Sequence, residues 1–241
     1  GAKTAVAFVP SSQRGYEIRD DFQAAFEAGG GTLLDWYGYE PALTDFSKPV
    51  AELLNVTESR DRHRRLQANL GVAVQFPEPR RREDVDMIFV FADARAGRSI
   101  AAQLRFFAAG DIPTYATALI FDPASTARDS DLNGLFFADT PALIAPDATA
   151  TAVRSELLAN WPQRTGLLRF YGMGFDAYRL VGPLFSEDNA AWPVRGLSGD
   201  LSLDAQGRVH RVLPLAQFRS GRPVAVEAGP RAIDSSLIGS R

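Results

Sequence analysis

Between Asp86 and Asp139 the sequence admits few folds. Met87-Ile88-Phe89-Val90-Phe91 is apolar at every position and rich in β-branched and aromatic residues. So short a run, without polar alternation, predicts a strand over 87–91 that is buried on both faces. Ile100, Leu104, Phe106 and Phe107 then recur at helical spacing over 95–109, and Gly110 supplies a stop. A second extended segment starts at 113 and a third spans 135–139. Strand, helix, strand at this spacing is a βαβ unit, which requires a parallel sheet covered by helices. Ligands of open parallel sheets bind beyond the carboxyl ends of the strands. That rule singles out Asp93, Arg95 and Asp139 as candidate cleft residues.

The preceding residues repeat the pattern. The run 4–9 (Thr-Ala-Val-Ala-Phe-Val) is a further buried strand, ended by Pro10. Ser11-Ser12-Gln13-Arg14-Gly15 is a polar loop, and 16–28 carries Ile18, Phe22, Ala25 and Phe26 on one helical face. Three glycines stop that helix, 32–39 is a second strand, and Asp45 or Ser47 caps a helix running through Leu53 and Leu54. Ser11, Ser12 and Tyr16, which follow the first strand, complete the candidate cleft.

The insert 57–82 is the most charged part of the chain. Arg60, Arg62, Arg64 and Arg65 alternate with Glu58 and Asp61, and Arg80-Arg81-Arg82 lead into the strand at Met87. The first four are expected on a solvated helix face, and the last three beside the strand's start, paired with Glu83 or Asp84. A nucleic-acid surface would interleave aromatics with the arginines, and only Phe76 is near; the net charge of −3 gives no general attraction either. After Asp139 the pattern changes to helices over 148–161 and 165–184. A hairpin follows, with strands 200–204 and 208–212 turning at Ala205-Gln206-Gly207, and a loop-like tail runs from Glu227.

Catalytic chemistry finds little support. Cysteine is absent and the two histidines, His63 and His210, have no second ligand at metal spacing. No phosphate loop or nucleophile elbow is present; Gly172 and Gly174 follow no strand, and Gly196-Leu197-Ser198-Gly199 leads into antiparallel strands. Asp93 and Asp139 could face each other as paired carboxylates, but strand-end aspartates more often cap the next helix. No apolar run approaches the ~18 residues of a membrane-spanning helix. The residues read as a non-enzymatic protein without metal or cofactor.

Several ordered motifs carry a resemblance. Pro79-Arg80-Arg81-Arg82-Glu83-Asp84-Val85-Asp86-Met87-Ile88-Phe89, the run from Phe106 to Thr117 and the run from Asp131 to Pro141 are three of them. Tyr171-Gly172-Met173-Gly174-Phe175-Asp176-Ala177-Tyr178 and Gly196-Leu197-Ser198-Gly199-Asp200-Leu201 are two more. Together they resemble the LpoA-type penicillin-binding-protein activators, the YraM-like lipoproteins. The resemblance implies the carboxy-terminal domain of a periplasmic, outer-membrane-associated protein that activates a bifunctional peptidoglycan synthase, a class A penicillin-binding protein. It implies an α/β fold like a type I periplasmic binding protein, with parallel sheets covered by helices in two lobes. Lobe two would comprise 1–112 and 185–241, and the returning part of lobe one, with its crossover helices, 113–184.

Departures from the family pattern refine this. Earlier βα units of lobe one, a helical-repeat domain and a lipidated cysteine have no counterpart here, so the membrane would be reached only through an anchor outside this chain. An incomplete lobe one would leave apolar strands open to a second copy. Ala118-Leu119 stands where a Ser-His pair is expected, and Ala142 where tryptophan is. These changes argue against the alternative function, a solute-binding protein for an amino acid or similar small polar ligand.

Overall fold

The computed structural model describes residues 1–70, 80–124, 129–185 and 192–226. The expected tail from 227 and the 71–79 part of the charged insert lie outside them. The chain forms two compact units, one of 1–138 with 217–223, the other of 139–216 with the segment from 224.

The first unit begins with β1 (Thr4–Pro10), α1 (Gln13–Ala28), β2 (Thr32–Tyr39), α2 (Ser47–Leu53) and α3 (Val56–Leu70). It continues with β3 (Met87–Val90), α4 (Ala94–Phe106), β4 (Thr114–Ala116) and β5 (Phe136–Ala138). β1 pairs in parallel with β2 and with β3, Ala5 opposite Met87 and Phe8 opposite Val90. The expected parallel core of 4–9, 32–39 and 87–91 is therefore present. Every side chain from Ala5 to Val9 is at most 1% exposed, as an all-apolar strand with helices on both faces must be. Large side chains so buried contribute about 1.5–3 kcal/mol each.

Local chemistry sets the boundaries. Ser12 Oγ accepts the Gly15 amide at the start of α1, and Asp93 Oδ1 the Ala96 amide at the start of α4. The α4 helix ends before the predicted stop at Gly110, because Ala108 itself adopts φ 54° and the Ala109 amide reaches back to the Leu104 carbonyl. Two glycines mark close approaches. A Cβ on Gly15 would lie 2.0 Å from the Pro10 carbonyl oxygen, and one on Gly97 2.0 Å from Ile120 Cδ1.

The second unit holds α5 (Pro141–Ile144), α6 (Ala148–Asn160), a 3₁₀ stretch (Pro162–Leu167) and α7 (Leu168–Leu184). A small antiparallel sheet follows, β6 (Val194–Arg195), β7 (Asp200–Leu203) and β8 (Val209–Val212), with Leu201 opposite Arg211. The strands β9 (Leu215–Arg219) and β10 (Arg222–Val226) return to the large sheet, whose order is β10-β9-β5-β4-β3-β1-β2. β9 runs antiparallel to β5: the Gly134 amide meets the Phe218 carbonyl and, farther along, the Asp139 amide meets the Pro214 carbonyl.

The proposed change of lobe at residue 113 does not coincide with any break in the sheet. β4 pairs with β3, Phe89 opposite Tyr115, and β5 pairs with β4. The reason is the short α4 crossover, which returns the chain beside β3 in the same sheet. The compact units part at Ala138 and Asp139 instead.

Candidate functional site

In the first unit the crossover from β1 leads to β2 on one side, and that from β3 leads to β4 on the other. The strand order thus reverses between β1 and β3, and a crevice opens at the carboxyl ends of strands at such a point. Ser11, Ser12, Asp93 and Arg95 all stand there, each already engaged. Ser11 Oγ donates to the Tyr39 carbonyl (3.1 Å) or Glu40 Oε1 (2.8 Å). Ser12 and Asp93 are the helix caps described above. Arg95 Nη2 lies 3.4 Å from the Pro41 carbonyl oxygen. Tyr16 packs edge-on against Trp36, 5.7 Å between centroids, and Arg19 lies 4.2 Å over the Trp36 ring. A Cβ on Gly38 would touch Trp36, Tyr16 and Ser11, so these three side chains meet over the glycine.

Tyr39 was not legible as part of this region. Its buried hydroxyl donates to the Phe91 carbonyl (3.0 Å), tying the end of β2 to that of β3. Burial, then the negative charge of Asp93, pushes the phenol well above its ordinary pKa, with Arg95 opposing. At the carboxyl end of β4, Thr117 Oγ1 is buried without a hydrogen-bond partner among the described residues. The Ala118–Ile120 turn that follows leaves Leu119 half exposed.

Asp139 belongs to the second unit and is 1% exposed. Its carboxylate takes the Arg169 guanidinium in a fork, Nε to Oδ1 at 2.9 Å and Nη2 to Oδ2 at 2.6 Å, and also accepts the Thr140 amide. The fork fastens the start of this unit to α7. Asp176, another buried carboxylate that sequence reasoning passed over, accepts the Leu197 and Ser198 amides and the Ser198 hydroxyl at 2.6–2.9 Å. A Cβ on Gly196 would lie 2.5 Å from Asp176 Oδ2. The Tyr171 and Gly196 motifs therefore occur together because one carboxylate joins them.

The arginines divide nearly as expected. Arg60, Arg62, Arg64 and Arg65 are exposed on α3. Arg82 pairs with Asp84 (2.7 Å) and reaches Asp35 (3.6 Å), but Arg81 finds its carboxylate across the fold in Asp111, and also donates to the Ala108 carbonyl. Arg81 thereby ties the lead-in of β3 to the turn that follows α4. Chemically, the strand-end groups act as caps and ties: their carboxylates accept amides or guanidinium.

The model of the family described as "LppC putative lipoprotein" matches residues 1–221. The chain belongs to the LppC lipoprotein family. A curated relative is the penicillin-binding protein activator LpoA of Vibrio antiquarius, 29% identical over 176 residues, covering 70% of this chain and 28% of that protein. The chain spans roughly a third of the length of the curated relatives it matches. Among solved structures, the LpoA (YraM) C-domain from Haemophilus influenzae aligns with TM-score 0.62 at 17% identity, over 92% of this chain and 61% of that one. A leucine-binding protein, LivK, from Thermotoga maritima aligns at 0.56 and 16%, over 94% and 60%. The LppC-family chain thus has the fold of the type I periplasmic binding proteins.

Proposed function

We propose that this chain is part of a periplasmic, envelope-associated regulator that binds and activates a bifunctional, class A peptidoglycan synthase, without catalysing a reaction itself. The carrying observation is the family match over 1–221 together with the activator named among the relatives. The geometry supports the reading, because Ser11, Ser12, Asp93, Arg95 and Asp139 hold backbone and side-chain partners in place. The outer membrane is the proposed location, through a lipid anchor on a longer form of the protein. The test adds the purified longer protein to a class A synthase and follows glycan-strand synthesis and cross-linking. Stimulation with retention on the immobilised synthase is expected; neither effect, with an active synthase, overturns the proposal.

The alternative, a receptor for an amino acid or similar small polar ligand, draws on the unpartnered Thr117 hydroxyl at the end of β4. Calorimetric titration with L-leucine and other amino acids tests it, and absence of heat from all of them removes it.

A further inference from the structure

At the amino ends of β3 and β4, opposite the crevice, the first unit holds an open groove of about 950 Å³. Its floor is apolar, with Val56, Val85 and Ile112 buried there. Phe106, the last residue of α4, lines one side at 75% exposure, with Phe107 edge-on to it at 5.0 Å. Arg60 stands on α3 one turn beyond Val56. The backbone of Arg80 is pinned to the same helix, because its amide donates to Ser59 Oγ (3.3 Å). Arg60, Arg80 and Arg81 share the lining with Glu83, Asp86 and Asp111, so pairing rather than number decides its polarity. Arg81 forks onto Asp111 at 2.9 and 3.0 Å, and Asp86 accepts the Lys3 and Thr4 amides. Arg60, Arg80 and Glu83 are exposed and have no charged partner among the described residues.

We infer that this groove binds an extended acidic segment of another protein, one that carries an aromatic side chain between its carboxylates. Two free guanidiniums against one free carboxylate leave the mouth positive, and α3 adds to this with four arginines against Glu58 and Asp61. The chain as a whole is negative, with a net charge of −3, so the patch runs against its average. The planar fork of arginine meets a carboxylate with two parallel bonds. Pairing with Arg81 removes most of the repulsion that Asp111 would exert on such a segment. A lone anion would gain nothing from the apolar floor or from Phe106, whereas an aromatic side chain is buried by both. Arginine and aromatic residues are also what the centres of protein interfaces are enriched in.

Fluorescence anisotropy tests this with the 241-residue chain and labelled synthetic peptides. The first peptide places aspartates and glutamates around a central phenylalanine, the second has asparagine and glutamine in their place, and the third has alanine for the phenylalanine. The first is expected to bind, more weakly as salt is raised, and the other two at least about tenfold more weakly. Arg60→Gln, Arg80→Gln and Phe106→Ser should each weaken the first by about tenfold, as loss of an interface anchor does. Arg65→Gln removes the same charge from α3 outside the groove and should change binding by less than about twofold. The replaced side chains are exposed, so the melting temperatures should stay those of the parent chain. Absence of binding, equal binding of the uncharged peptide, or variants that bind like the parent overturn the inference. So does a chain that ignores the acidic peptide but sediments with phosphatidylglycerol vesicles through the same residues, which makes a lipid surface the partner. No synthase enters the measurement, so the result stands apart from the proposed activity.

Discussion

Gly97 illustrates how little room the first unit leaves. Ile120, fully buried, occupies the space where a Cβ would stand, so Gly97→Ala should lower unfolding free energy by about 1–3 kcal/mol in urea titration, the usual result of overpacking. Gly15→Ala should be worse, since the obstructing atom is a backbone carbonyl oxygen. In the second unit, Arg169→Met would strand the Asp139 carboxylate in the interior. Breaking one side of such a pair costs about 3–5 kcal/mol, and Asp139→Asn in the same molecule should recover part of it; no recovery would mean that the Arg169 side chain acts through other contacts. Ser12→Ala and Asp93→Ala should each cost about 1 kcal/mol as lost caps, and leave synthase stimulation intact. Loss of stimulation by a stably folded Asp93→Ala protein would give this carboxylate a role beyond capping.

Among the elements, the β7–β8 hairpin carries a pH dependence. Asp204 bonds first to His210 Nε2 (2.7 Å), then to the Arg208 amide and side chain and the Gln206 amide. These bonds, the histidine's foremost, hold its carboxyl far below the ordinary range. A depressed folded pKa means the stabilisation is complete above the unfolded value, near 3.9, and is lost as pH falls toward the folded one. Amide exchange at 204–210 should accelerate as pH drops below about 4, beyond the intrinsic change, and Asp204→Asn should abolish that dependence. Elements of this kind were largely legible in the sequence. The runs 4–9 and 87–91 could only be buried strands, and Ala205-Gln206-Gly207 marked a turn. What escaped was β9 and β10. Ser220 and Gly221, at φ 51° and 72°, make a two-residue turn between them, a Ser-Gly signal at the limit of what local chemistry announces. Which sheet a strand joins was not legible for another reason: it depends on the crossover's path, which no local pattern states. Tyr39, Asp176 and Arg169 were invisible because their partners lie 52, 21–22 and 30 residues away.

For the whole molecule, the two units differ in what they bury. The first has a continuous interior through Val6, Phe8, Ile88, Ile120, Phe137 and Phe218, whereas the second is held by a few side chains such as Leu157, Leu180 and Leu197. Native-state hydrogen exchange should therefore show the slowest amides in β1 and β3 and markedly faster ones in α6 and α7; the reverse order would contradict the burial. The large sheet also takes its last two strands from far along the chain. β5 ends at Ala138, and β9, which pairs with it, begins only at Leu215. At ribosomal speeds of roughly 5–20 residues per second, the edge of β5 would wait several seconds for its neighbour. During that interval Phe136 and Phe137 are what a nascent-chain chaperone would meet, and faster or slower translation between codons 139 and 214 should change the yield of soluble protein without altering a single residue.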